Sequence, residues 1–166
     1  MTTPVVRRRT PEDLPACVKT MADVHAEDGY PSNWPTDPER WLTPDELLGC
    51  WVSVEDGEVL GHVALQRFPD SARAHVAVPD ELAAITRLFV SPRARRRGVA
   101  KALVDTAVAA AGELRVALDV ADIGQDAIAF YERTGWRRVA SARMDWTLPD
   151  GERALVHYYL RPREST

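Results

Sequence analysis

Residues 82–112 read as a strand, a loop and a helix in direct succession, and no other stretch restricts the fold so much. Leu82 to Val90 is a mostly apolar run of strand length that stops at Ser91-Pro92, where proline removes a ladder donor. Beyond the arginine-rich residues 93–97, Leu103, Val104, Ala107, Val108 and Ala111 share one helical face, and Gly112 is placed to end that helix. A buried strand and a helix with one apolar face each need a covering layer. The chain is therefore expected to build a sheet with helices packed on it.

The flanking sequence supplies the other elements. Residues 5–9 form a short strand, and Thr10-Pro11-Glu12-Asp13 then gives an N-cap, a first-turn proline and early acidic residues for a helix running to about His25. No period holds over 27–41, where Pro31, Pro35 and Pro38 interrupt regular structure, so this is a long loop with room for a short helical turn. Thr43-Pro44-Asp45-Glu46 is expected to cap a second short helix. Strands over 51–54 and 59–66 flank Asp56-Gly57, a strong hairpin signal, and 68–79 is a polar connection. Residues 116–120 are a compact apolar strand, 126–134 a helix closed by Gly135, and 136–147 and 154–160 strands around Pro149-Asp150-Gly151. Trp51, Trp136 and Trp146 fall in these strands and are expected in the core. With no internal repeat, low-complexity tract or linker, 1–166 is expected to be a single domain. Strands and helices do not alternate strictly, which points to a mixed sheet flanked by helices.

Bulk properties remove several functions. With 166 residues and 45% apolar content, the chain suits one ordinary core. Its net charge of -4 argues against a general nucleic-acid or anionic-membrane binder, which needs excess positive charge to displace counterions. Cys17 and Cys50 match no zinc spacing, so no disulfide scaffold and no metal site is expected, and a reducing cytoplasm fits best. Arg7, Arg8 and Arg9 are followed by Thr10-Pro11-Glu12-Asp13, so no apolar export segment follows them, and no apolar run is long enough to span a bilayer.

The junction at Gly98 carries the chemistry. A strand that enters a loop opening directly into a helix aims unpaired amides, and the positive end of the helix dipole, at one spot suited to a pyrophosphate. Arg93, Arg95, Arg96 and Arg97 on such a loop could simply be solvated. Here the arginines flank a glycine, the glycine starts a helix, and the preceding strand is apolar, so charge and geometry converge.

These residues resemble the acetyl-CoA-binding signature of the GNAT (GCN5-related) superfamily of N-acetyltransferases. Its pattern of Gln or Arg, two residues, Gly, one residue, then Gly or Ala is met by Arg95, Gly98 and Ala100, preceded by Arg87-Leu88-Phe89-Val90-Ser91-Pro92. The resemblance implies a central mixed, mostly antiparallel sheet of about seven strands with about four helices, an α/β (α+β mixed) fold. It further implies that amides among Arg95, Arg96, Arg97, Gly98, Val99, Ala100 and Lys101 hold the coenzyme A pyrophosphate. The main chain around Leu88, Phe89 and Val90 would then pair with the pantetheine arm. A second block, Ala127-Ile128-Ala129-Phe130-Tyr131-Glu132-Arg133-Thr134-Gly135-Trp136, is similar to the family's later helix, whose tyrosine can protonate the departing thiolate. Tyr131 is the matching residue.

Two positions depart from that pattern. Ala84 stands where the family often has a glutamate base, and Gly124 where it often has an asparagine that contacts the coenzyme. Glu81 and Asp119 are the substitute base candidates. On the acceptor side, His25, Glu27, Asp28, Tyr30, Trp34 and Trp41 cluster in the aperiodic stretch, where carboxylates beside aromatic faces suit a cationic amine. His62, His75 and His157 stand isolated, with structural or surface roles as the default. The expectation is an acetyl-CoA-dependent N-acetyltransferase acting directly on an amine of a small molecule or peptide. It needs no metal and has no nucleic-acid or membrane partner, and a homodimer is left open. The alternatives are a coenzyme A-binding regulatory module without catalysis and an enzyme for a longer acyl group.

Overall fold

The computed structural model describes residues 3–162. Along the chain run β1 (Val5–Arg8), α1 (Leu14–Asp28), α2 (Pro38–Trp41), β2 (Leu47–Glu55), β3 (Glu58–Arg67), β4 (Leu82–Val90), α3 (Val99–Ala110), β5 (Arg115–Ala121), α4 (Gln125–Arg133), β6 (Arg137–Thr147) and β7 (Arg153–Leu160). The strands lie in the order β1-β2-β3-β4-β5-β7-β6. The β4/β5 pair is parallel, whereas β1/β2, β2/β3, β5/β7 and β6/β7 are antiparallel. This is the mixed, mostly antiparallel sheet expected from the sequence. The residues fall into two compact units, one up to 66 with 85–112 and the other 67–84 with 113 onward, so β4 contributes to both.

In the first unit, Thr10 and Asp13 close the start of α1: the Thr10 amide donates to Asp13 Oδ2 at 2.7 Å, and Arg7 bonds both carboxylate oxygens. That guanidinium holds the Asp13 carboxyl well below its ordinary range. Gly29, left-handed at φ 75°, ends α1 with its N–H on His25 O at 2.9 Å. The apolar face of α1 places Cys17, Met21 and Val24 against Leu42, Val52, Val59 and Phe89. Each such burial is worth roughly 1.5–3 kcal/mol for a large side chain. Asp56 and Gly57, at φ 52° and 78°, make the two-residue turn that the hairpin signal demanded. Gly61 on β3 lets α3 lie close to the sheet, because an added Cβ would meet Leu103 Cδ1 and the Phe89 carbonyl at 3.0 Å.

The expected helix after Thr43 does not form. Glu46 takes φ 56°, outside the right-handed helical region, and Leu47 pairs with Gln66 at the start of β2. The helical turn lies earlier, at Pro38–Trp41, where Asp37 caps it by accepting from the Arg40 amide at 3.2 Å.

In the second unit, Leu82, Ala83 and Ala84 pair with Arg115, Val116 and Ala117. Phe68, Val76, Leu82, Ala84, Ala117, Ala154, Val156, Tyr158 and Leu160 form its core. Arg73 ties the connection before β4 together by donating to the carbonyls of Val76, Val78 and Asp80. Of the tryptophans expected in the core, Trp51 and Trp136 are buried, but Trp146 is 41% exposed. It lies on β6, the last strand in the order, where no further strand covers its side chain.

Candidate functional site

The strand–loop–helix junction is built within the first unit. Along β4, Phe89 is buried and stacks on His62 with ring centres 5.3 Å apart, while Leu88 and Val90 are half-buried. Ser91 N–H donates to Leu60 O at 2.7 Å and a single 3₁₀ turn follows at Pro92–Ala94. Arg95 is then extended, Arg96 is left-handed at φ 62°, and Gly98 is left-handed at φ 76° as the residue before α3. The first intrahelical bond runs from Ala102 N–H to Gly98 O at 3.0 Å. The amides of Val99, Ala100 and Lys101 precede any intrahelical acceptor, and Gly98 brings no side-chain cap to them. An external anion is the natural acceptor for these donors, which also lie at the positive end of the helix.

The cations around this point are not equivalent. Arg97 is held by Glu55 at 2.6 and 3.1 Å, Arg93 by Glu58 at 2.5 Å, Lys101 by Asp105 at 2.6 Å, and Arg95 by Asp28. Arg96 is exposed and enters none of the ion pairs among the described residues. Among Arg93, Arg95, Arg96 and Arg97, it is the one that pairs with no carboxylate of the described residues, whereas Arg95 and Arg97 are tied to Asp28 and Glu55.

Sequence reading missed the backbone of Arg87. It is left-handed at φ 54° inside β4, a conformation expected of glycine. A buried network holds it. His62 Nδ1 lies 2.9 Å from Arg87 O, and His62 Nε2 lies 2.9 Å from Arg9 Nη1, which also donates to Leu42 O at 2.7 Å. Arginine only donates and a carbonyl only accepts, so His62 is neutral with its hydrogen on Nδ1. Burial lowers its pKa to about 4, against the contribution of the Arg87 bond. No sequence signal marked this histidine as more than isolated.

The acceptor-side candidates divide into two groups. The His25 ring lies 5.3 Å from that of Trp34, and its Nδ1 is 2.8 Å from Pro31 O. Trp34 is 39% exposed. Tyr30 meets Trp41 edge-on at 6.2 Å, and the Arg87 guanidinium lies over the Trp41 ring at 4.1 Å. Asp28 pairs with Arg95. Two of the groups expected to attract a cationic amine, Asp28 and the face of Trp41, are thus already engaged with the protein's own arginines.

In the second unit, Tyr131 on α4 is buried, with its ring 5.8 Å from Trp136 and 6.3 Å from Tyr159. Leu118 pairs with Tyr159 and Asp119 with Tyr158, so Asp119 lies on the opposite face of β5 and β7 from that contact. That face also carries Ala84, which pairs with Ala117, two residues before Asp119. Desolvation and then the Asp119 charge push the Tyr158 hydroxyl above its ordinary range. Glu81 is exposed just before β4 and takes part through its carbonyl, which accepts from Arg115 N–H at 3.1 Å. At Gly124 a Cβ would stand 3.2 Å from Ala121 O, so the tight turn into α4 leaves little room for the family's asparagine. His157, isolated in sequence, is bonded on both ring nitrogens, to Ser141 and to Asp122.

The model of the acetyltransferase (GNAT) family matches residues 18–136. No curated protein matches the chain. Among solved structures, the chain is similar to the ribosomal-protein-S18-alanine N-acetyltransferase of Escherichia coli, at 20% identity and TM-score 0.72, over 99% of this chain and 96% of that one. It is also similar to Arabidopsis thaliana NAA60 in complex with acetyl-CoA, at 21% identity and TM-score 0.69, over 95% and 97% of the two chains. An N-acetyltransferase from Staphylococcus aureus Mu50 matches at 15% identity and TM-score 0.74, over 96% and 98%.

Proposed function

We propose, for a chain that belongs to the acetyltransferase (GNAT) family, that it transfers an acetyl group from acetyl-CoA directly to an amine of a small molecule or peptide. The observation that carries this reading is the α3 N-terminus: Gly98 leaves the amides of Val99, Ala100 and Lys101 without a side-chain cap, beside the unpaired charge of Arg96. The pyrophosphate of coenzyme A supplies the missing acceptor. The half-buried main chain at Leu88 and Val90 suits the pantetheine amides, with the strand held in place from beneath by His62 on Phe89 and on the Arg87 carbonyl.

The chemistry follows from the family's two-substrate logic. An amine nitrogen attacks the thioester carbon, the nitrogen loses a proton, and the coenzyme thiolate leaves with one. Tyr131, whose ring packs against Phe130, Trp136 and Tyr159, is the proposed donor to that thiolate. Asp119 is the stronger of the two base candidates, because it stands on the same face as Ala84, where the family's glutamate would be, whereas Glu81 lies outside the strand. Direct transfer fits the cysteines: burial pushes the Cys17 thiol up to about 12 and raises that of Cys50, so neither is a ready nucleophile. Their free thiols also suit a reducing compartment such as the cytoplasm. His25 and Trp34 are the proposed acceptor contacts, with Tyr30 backing Trp41. Relatives of the same fold include an enzyme for the alanine of a ribosomal protein, which supports a peptide amine as one class to test.

The test is acetyl-CoA titration by calorimetry followed by a panel of amines and N-terminal peptides with thiol release as the readout. Saturable binding and amine-dependent thiol release are expected. Binding without release for any amine would leave the coenzyme A-binding module, which Ala84, a side chain with no proton-accepting group, keeps as the second reading.

A further inference from the structure

Asp122, Ser141 and His157 come from three places in the second unit and form one hydrogen-bonded line. His157 Nε2 stands 2.7 Å from Asp122 Oδ1, and its Nδ1 stands 2.6 Å from Ser141 Oγ. A carboxylate only accepts, so in the neutral ring Nε2 carries the hydrogen and Nδ1 keeps the lone pair that accepts the Ser141 hydroxyl proton. His157 is 5% exposed and therefore held by its surroundings, while Ser141 is exposed on β6. Ser141 and His157 are direct cross-strand partners, so the sheet itself sets their separation. Asp122 is fixed at the end of β5, its N–H donating to Leu155 O at 2.9 Å.

An exposed hydroxyl thus stands with a base that accepts its proton and a carboxylate that orients the base.

We propose that Ser141 is an acyl-accepting nucleophile, activated by His157 and oriented by Asp122, that hydrolyses activated carboxylic esters. Oγ bonds to the carbonyl carbon while its proton passes to His157 Nδ1. The C–O bond to the leaving alcohol breaks, and the alcohol takes that proton from the imidazolium. Water then attacks the acyl-serine, gives a proton to Nδ1, and the proton returns to Oγ as the free acid departs. This activity uses no residue of the 95–101 loop and is separate from coenzyme-dependent transfer.

The experiment treats the full-length protein with a fluorophosphonate probe, locates the label by peptide mass spectrometry, and measures p-nitrophenyl acetate hydrolysis. The label is expected on Ser141, and Ser141→Ala should remove it and lower catalysed hydrolysis at least about tenfold. Asp122 has a side chain 51% exposed, so Asp122→Asn is expected to keep the circular dichroism spectrum. It should slow labelling at least about tenfold, since an amide no longer fixes the ring tautomer; the matching change in a serine protease costs about 10⁴-fold. Absence of label on Ser141, or hydrolysis unchanged in Ser141→Ala, overturns the proposal. So does Asp122→Asn labelling at the wild-type rate, which would make the line a purely structural contact.

Discussion

Replacing Gly98 by alanine separates the strain of a left-handed backbone from the approach of a ligand. At φ 76° an alanine is strained, at a cost of roughly 1–2 kcal/mol. The new Cβ meets no protein atom within 4 Å, so no clash adds to that figure. The strain is present in the free and the bound protein alike and cancels in the dissociation constant. Whatever affinity is lost therefore reports the new methyl group against the bound phosphate. Gly112, left-handed at φ 62° with equally open space at its Cβ, is the matched control at the other end of α3. Arg93→Ala removes a pair whose side chains are 59% and 60% exposed, worth about 0–1 kcal/mol. Denaturant unfolding should show similar losses, about 1–2 kcal/mol, for Gly98→Ala and Gly112→Ala. Calorimetry should show at least about a tenfold weaker Kd for acetyl-CoA in Gly98→Ala, or about 1.4 kcal/mol, and almost no change in the other two. Equal Kd values for the two glycine variants would refute the placement of the phosphate against the Gly98 backbone.

Tyr131→Phe keeps the packed ring and removes only the hydroxyl. Turnover is expected to fall at least about tenfold, within the roughly 10²–10⁴-fold range of general-acid contributions, with calorimetric affinity for acetyl-CoA unchanged. His62 makes stability depend on acid: its folded pKa, about 4, lies below the ordinary 6.5, so the unfolded chain binds the proton more readily. Its contribution is fully present above pH 6.5 and is lost as pH falls toward 4, up to about 3 kcal/mol by linkage. Urea unfolding of wild type against a His62→Gln variant should show this difference, and identical pH slopes would refute it. Once an acceptor is known, Trp34→Ala should raise its KM without altering that of acetyl-CoA.

Periodicity and turn chemistry are local, so the sequence alone determined most elements. β4 was bounded at Leu82 and Val90 by its apolar run and the following Ser91-Pro92, and the β2–β3 turn by Asp56-Gly57. Gly98 and Gly112 likewise marked the ends of α3. The loop proposed to hold the coenzyme was legible for the same reason: its uncapped amides are consecutive, and a short string of residues fixes their geometry. What required the tertiary structure depends on residues distant in the chain. The left-handed Arg87 is held by His62 and Arg9, and Asp28 is drawn to Arg95 across 67 positions. Thr43-Pro44-Asp45-Glu46 carried a sound helix signal that pairing of Leu47 with Gln66 overrode, since strand register rewards more residues than one isolated turn. His157 looked isolated because Ser141 and Asp122 are 16 and 35 residues away. Only the pairing of β6 with β7, and of β7 with β5, brings these three side chains within hydrogen-bonding distance.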